Sequence, residues 1–334
     1  MMHRQLIIFI CALGLLAAGC SVHEVPEGGD ENPSVALTLN IDLDETMPLH
    51  SALVYSTRAD KDLARYIVRL YPYVNDTYLK DAPFEFVATE ADLTDRSYTI
   101  GVLPLNYHVE VWADWTRGET PFYDAADFGK IVLETEDYTG ADEHRDAFCG
   151  EMDLDLSVYQ ENLSSHEATI VLARPNARFC FFSDDREEFL RYWAGVIALD
   201  NGTNVKDPDS IDLNDYVVRV YYPQYLPSEY DSHEGSVTDS ATGVWYETKM
   251  KDLRDGTIEI AWDWVLATGD ASSVVVSLAF FDQDGKFINR LDNILVPLAP
   301  GHLTTITGKL LTSNIQSGIT IDPSFDGEFI VHIN

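Results

Sequence analysis

Nine histidines, four cysteines and 56 aspartates and glutamates are the residues of this 334-residue chain that can act as ligands, bases or nucleophiles. The histidines are scattered. None stands in H-x-H or H-E-x-x-H, spacings that aim two imidazoles at one metal. There is no G-x-S-x-G turn, no P-loop and no G-x-G-x-x-G. Glycoside hydrolysis needs two carboxylates across a cleft, and among so many acids a pair arises by chance. Glu151, Asp153 and Asp155 alternate along a strand and read as a solvated face opposite Met152, Leu154 and Leu156. The acidic segment 200–215, with Asp200, Asn201, Asp207, Asp209, Asp212 and Asp215, fits no calcium-loop spacing and reads as a solvated loop. "DQDG" (282–285) opens like a calcium loop, but Asn293 stands where the closing Glu belongs, so it reads as a hairpin turn. No catalytic group, metal site or cofactor is expected, and the chain reads as a non-enzyme. The remaining candidates are rings. Tyr225 and Tyr230 could stack on a glycan, whereas Trp112, Trp115, Trp262 and Trp264 sit in strand patterns and belong in cores.

The elements that carry these residues are strands. Period-2 alternation runs through "SVALTLNIDL", where Val35, Leu37, Leu39 and Ile41 share one face. It continues in "RYIVRLYPY" (65–73), "FEFVATE" (84–90), "SYTIGVL" (97–103), "YHVEVWADW" (107–115), "GKIVLET" (129–135), "GEMDLDLSV" (150–158) and "EATIVLA" (167–173). Acidic loops with Gly and Pro separate them, the pattern of a β-sandwich. Pro175 has no backbone donor and breaks the series. The expected division is a sandwich over 34–174 and another over 175–334. The second holds the one helix candidate, "DDREEFLRYWAGV". There Asp185 and Glu188 have capping-box spacing, and Phe189, Tyr192, Trp193 and Val196 have helical spacing. Strands follow at 177–183, 216–223, 243–249, 256–262, 272–281, 286–291, 302–311 and 328–333. "YIVRLYP" (66–72) is echoed by "YVVRVYYP" (216–223), which suggests two copies of one topology.

The N-terminus decides location. A basic start is followed by an apolar run from Leu6 to Gly19, 14 residues, where a span needs about 20. Small residues then lead to Cys20, the layout of a secretory signal. "LAAGC" resembles the lipobox of bacterial lipoproteins, with Ala17 where a Leu is usual. That resemblance makes residues 1–19 the signal peptide and Cys20 the acylated (palmitate-bearing) N-terminus, held in the outer membrane by its lipid. Residues 20–33, with Glu24, Glu27, Asp30 and Glu31 among Gly and Pro, form a flexible tether. An acidic stretch after the cysteine also resembles a surface-export signal. The net charge of −34 repels phosphate backbones, so nucleic acid is no partner. Cys149 and Cys180 remain after Cys11 and Cys20. An exported chain permits their pairing, but spacing does not decide it.

Several phrases together are similar to one family: "YHVEVWADW", "YTGADEHRDAFCG", "VLARPNARF", "PLAPGHLTTITGKLLT" and "IDPSFDGEFIVHI". They resemble the fimbrillin-like lipoproteins of Gram-negative anaerobes, near the anchoring subunits of their fimbriae, over residues 34–334. Cys149 departs from the aromatic expected after "DAF". The resemblance implies an all-β chain of two tandem transthyretin-like (Greek-key) sandwiches, a lipid anchor, no catalysis, and other fimbrial subunits as partners through strand addition. In stalk subunits of that family a protease cuts after an arginine that follows the first strand; Arg58 stands at such a place. Cutting there would separate Cys20 and the first strand from both sandwiches, so the expectation is an anchor or accessory subunit that keeps them. The alternative is a surface glycan-binding lipoprotein that partners a nutrient importer.

Overall fold

The computed structural model describes residues 34–44, 62–75, 77–80, 83–118, 120–159, 164–200, 202, 207–269, 272–312, 319–322 and 328–333. The signal, Cys20, the tether and Arg58 lie outside the described residues. The chain is all-β with one α-helix among the described residues. Its strands are β1 (Val35–Leu43), β2 (Asp62–Val74), β3 (Thr77–Tyr78), β4 (Phe84–Glu90), β5 (Arg96–Val102), β6 (Asn106–Arg117), β7 (Thr120–Pro121), β8 (Tyr123–Asp124), β9 (Ile131–Leu133), β10 (Phe148–Asp155) and β11 (Ser165–Leu172). After Pro175 come β12 (Asn176–Ser183), helix α1 (Arg186–Asp200), β13 (Val217–Tyr221), β14 (Leu226–Asp231), β15 (Ser236–Ala241), β16 (Trp245–Lys249), β17 (Lys251–Asp252) and β18 (Ile258–Leu266). The series ends with β19 (Ser272–Phe281), β20 (Phe287–Leu298), β21 (Leu303–Gly308), β22 (Ile319–Asp322) and β23 (Glu328–Ile333).

In the first half a sheet ordered β11-β1-β5 packs on a sheet ordered β10-β6-β2-β4. Alternation explains the stack. Leu37, Leu39 and Ile41 point one way from β1 and meet Tyr66, Val68 and Leu70 of β2 and Val109 and Val111 of β6 in one core. In the second half β21-β12-β18 packs on β20-β19-β13-β16. Each strand of the first order has its counterpart in the second. The outer pairs agree in direction too: β1 with β11 and β12 with β21 are parallel, and the remaining neighbours in the two orders are antiparallel.

The sequence echo falls on equivalent strands, β2 and β13. Arg69 faces Glu85 across β4 in register, and its Nε donates to Glu85 at 2.8 Å. Arg219 faces Glu247 across β16 in register, and its Nε donates at 2.9 Å. Each guanidinium also lies over a ring, Phe128 for Arg69 and Trp245 for Arg219. The echo preserves a cross-strand ion pair on an aromatic floor.

Each half also carries an insertion, and the two insertions pair. β8 and β9 of the first join β14 and β15 of the second in a sheet ordered β15-β14-β9-β8. The core that includes Phe179, Phe181 and Val276 therefore continues through Ile131 and Phe128 to Ile67 and Trp112 of the first half. Every residue of β12 is buried, because both faces of that strand are covered.

Helix α1 differs from its sequence reading. Its buried stripe is Phe189, Leu190, Trp193, Ala194 and Ala198, while Tyr192 is exposed. Asp185 accepts from Leu311 N, Thr312 N and Thr312 Oγ1, so its carboxylate ties the helix start to the segment after β21. Glu188 meets Lys309 instead of closing a capping box.

Candidate functional site

The first site is the seat of β1. This strand lies between β11 and β5, paired over Ala36–Leu43 on one side and Val35–Ile41 on the other. Val35, Leu37, Leu39, Ile41 and Leu43 are buried. At about 1.5–3 kcal/mol per aliphatic side chain, their burial contributes roughly 7–15 kcal/mol gross. That equals the whole net stability of a typical domain, about 5–15 kcal/mol. Polar clasps fix the register. Thr38 bonds Thr99 at 3.0 Å, Asn40 donates to Glu167 at 2.8 Å, and Leu43 N donates to Asp95 at 2.8 Å. Without β1 the core would open as a groove, bordered by the unpaired ladders of β5 and β11.

The two tyrosines separate. Tyr225 is 43% exposed, whereas Tyr230 is 5% exposed, with its ring beside Trp112. The sequence reading of Tyr230 as a surface ring is corrected. Its ring lies in the core against Trp112 and Cys149 of the first half, so only Tyr225 of the pair offers a ring face to solvent. Cys149 and Cys180 are free thiols on opposite halves. Burial pushes each up to about 12. In the acidic loop Asp207 and Asp212 accept from the backbone N–H two residues on. Asp282 does the same at Asp284 N and also accepts from Lys286 N, which closes the "DQDG" turn.

Between the halves lies a buried polar seam. Asp263 accepts from Tyr138 at 2.7 Å and Tyr222 at 2.5 Å. Arg145 stacks over Tyr138 at 3.9 Å and stands 3.8 Å from Asp263. Burial raises the Asp263 carboxyl, and Arg145 and the two hydroxyls oppose that. Arg178 forks onto Glu143 at 2.8 and 2.9 Å. These contacts join residues far apart in sequence, and no spacing rule reveals them.

A second cluster was hidden in "YHVEV". His108 and Glu110 are two apart on β6 and so share a face. On β10, Asp153 pairs with His108 and Glu151 with Glu110, which adds both acids to that face. His108 Nε2 lies 3.2 Å from Glu110 Oε1 and 3.4 Å from Glu151 Oε2. Its Nδ1 lies 3.0 Å from Asp153, which also accepts from Tyr73 Oη at 3.0 Å. From the turn between β14 and β15, His233 reaches across and bonds Glu110 Oε1 through Nδ1. Tyr78 stacks on His108 at 4.6 Å. The bond to Glu110 pushes His108 up to about 9; burial opposes it and Asp153 assists. Burial opposes ionisation of Glu110, and the bonds from His108 and His233 overcome it, so its carboxyl is lowered. Glu151 and Asp153 are exposed as the alternation required, but their carboxylates turn back onto His108. The H-x-E spacing was the available signal.

Among the described residues no helix is long and apolar enough to cross a membrane. No curated protein matches the chain. Among solved structures, it is similar to a candidate cell-adhesion protein from Bacteroides eggerthii, at 13% identity and TM-score 0.44, covering 91% of this chain and 96% of that one. A candidate adhesin from Bacteroides thetaiotaomicron is similar at 13% identity and TM-score 0.44, with 79% and 82% covered. The fimbrial anchor protein Mfa2 from Porphyromonas gingivalis is similar at 13% and 0.38, with 77% and 82% covered. Likenesses this distant carry no functional argument. The sequence match is of another order: the profile of a family of unknown function, DUF6562, matches residues 28–334, and the chain belongs to that family.

Proposed function

We propose that the protein is a lipid-anchored, non-catalytic subunit of a surface fimbria, serving as its anchor or an accessory part. The observation that carries this reading is the position of β1. A chain tethered through Cys20 transmits its attachment to the body through the next ordered strand, and β1 is clamped on both edges with five buried aliphatic residues. Cleavage after Arg58 would detach that strand and its lipid together, which suits a polymerising subunit and defeats an anchor. β5 and β11 are the outer strands of the β1 sheet, and strand addition at such an edge is the contact proposed with neighbouring subunits. The division into transthyretin-like sandwiches over 34–174 and 175–334 and an outer-membrane, outward-facing location belong to the same proposal. A glycan-binding role has less support, because Tyr230 is buried and Tyr225 stands without it.

Mass spectrometry of the protein taken from its native cell surface tests the reading. The expected N-terminus is acylated Cys20, with the chain continuous through β1. An N-terminus at Ala59 would overturn the anchor assignment and make this a polymerising subunit.

A further inference from the structure

We propose that His108, Glu110 and Glu151 form a binding site for a divalent transition-metal ion of the zinc type, at the junction of the two halves. The inference is independent of the fimbrial reading. Three donor atoms, His108 Nε2, Glu110 Oε1 and Glu151 Oε2, lie within 4.8 Å of one another. Zinc holds nitrogen and oxygen ligands at about 2.0–2.1 Å, which spaces tetrahedral ligands about 3.3 Å apart. The two separations from His108, 3.2 and 3.4 Å, match that edge, and zinc bound there displaces the Nε2 proton to solvent.

Two further features point to a cation. Glu110 is fully buried, and its second oxygen, Oε2, has no hydrogen-bond partner. A buried carboxylate oxygen without a donor is costly, and an ion that Glu110 chelates through both of its oxygens removes that cost. His108 is also oriented as a metal ligand usually is. Its far nitrogen meets Asp153, itself held by Tyr73, which leaves Nε2 facing the two glutamates. His233 bonds Glu110 from the second half and acts as a positioning residue for that ligand. Gly129 leaves room for it: a Cβ there would come within 3.3 Å of the His233 ring. One imidazole and two carboxylates leave at least one coordination position for water or a partner's side chain. The nitrogen ligand favours zinc-like ions over calcium and magnesium, which take oxygen cages.

The test is calorimetric titration of the full chain, stripped with chelator, with zinc chloride, and with calcium and magnesium chloride as comparisons. Cobalt(II) absorbance reads the ligand set. The expected result is one zinc per chain, a tetrahedral cobalt spectrum, and no calcium or magnesium binding at the same concentrations. Glu151 is exposed, so Glu151→Gln will fold, and it should weaken zinc by about 10–100-fold. His233→Ala should weaken it less while keeping the cobalt spectrum tetrahedral. Absence of zinc binding, or binding that Glu151→Gln leaves unchanged, overturns the site.

Discussion

Gly140 gives the sharpest test of how the two halves fit. It belongs to the loop after β9, and a Cβ built there would stand 2.4 Å from Cε1 and 2.5 Å from Cδ1 of Tyr246, a buried ring on β16 in the other half. Carbon atoms pack at about 3.5–4.0 Å, so Gly140→Ala must push the ring back by about 1 Å. The ring is pinned by its hydroxyl, which donates to Trp262 O at 2.8 Å. The same shift stretches that bond to about 3.8 Å, beyond hydrogen-bonding range. Overpacking costs about 1–3 kcal/mol and the lost bond about 1 kcal/mol, so the variant should lose roughly 2–4 kcal/mol. For a chain of this size that lowers Tm by roughly 3–6 °C. The assay is thermal unfolding followed by circular dichroism. Gly195→Ala is the control: it lies within α1 with nothing within 4 Å of its added methyl, so it should stabilise by about 0.5–1 kcal/mol. In a Tyr246→Ala background the cost of Gly140→Ala should fall below about 0.5 kcal/mol. Wild-type stability of Gly140→Ala, or a cost that persists without the Tyr246 ring, would refute the packing argument.

The paired arginines should respond unequally. Arg69→Met breaks a contact whose guanidinium is buried and also bonds Ala126 O, and should cost about 1–3 kcal/mol in denaturant unfolding; Arg219→Met, partly exposed, should cost about 1 kcal/mol or less. Asp142 gives a pH test. Burial opposes its ionisation, but bonds from the His144 side chain and backbone outweigh that and, with Arg117, lower its carboxyl. A lowered carboxylate stabilises the fold fully above its unfolded pKa, about 3.9, and loses that contribution as pH falls through the folded value. The Tm gap between wild type and Asp142→Asn should therefore be full at neutral pH and close on acidification below about 4; a gap independent of pH would exclude the carboxylate as its source.

Strands whose partners lie nearby, or whose faces alternate cleanly, were legible in sequence. Val35 to Leu43 declares both its extended form and its buried side, and the arginine echo at 69 and 219 points to equivalent strands. The joint sheet was not legible. β9 is three residues long, and its partner β14 falls in the gap between the expected strands 216–223 and 243–249, so the burial of Tyr230 was hidden with it. Helix α1 was found but its stripe was misassigned at Tyr192, because spacing alone does not say which face the sheet will cover. His108 and Glu110 gave only an H-x-E on a strand. Their meeting with Glu151 and Asp153 depends on the register of β10, and with His233 on a hairpin from the other half.

The directions of the first and last strands matter for a molecule that is pulled. β1 runs parallel to β11, and β23 runs parallel to β21. A force that draws residue 34 away from residue 333 hauls β1 backward past β11, whose far end continues directly into β12. Tension therefore runs along the ladder instead of across it. Hydrogen bonds loaded in this way share the strain and fail together, whereas a hairpin pulled from one end opens a bond at a time. The lifetime under load is then set by the barrier to shearing β1 out whole, and a chain stretched between these two residues would hold or give way as a unit.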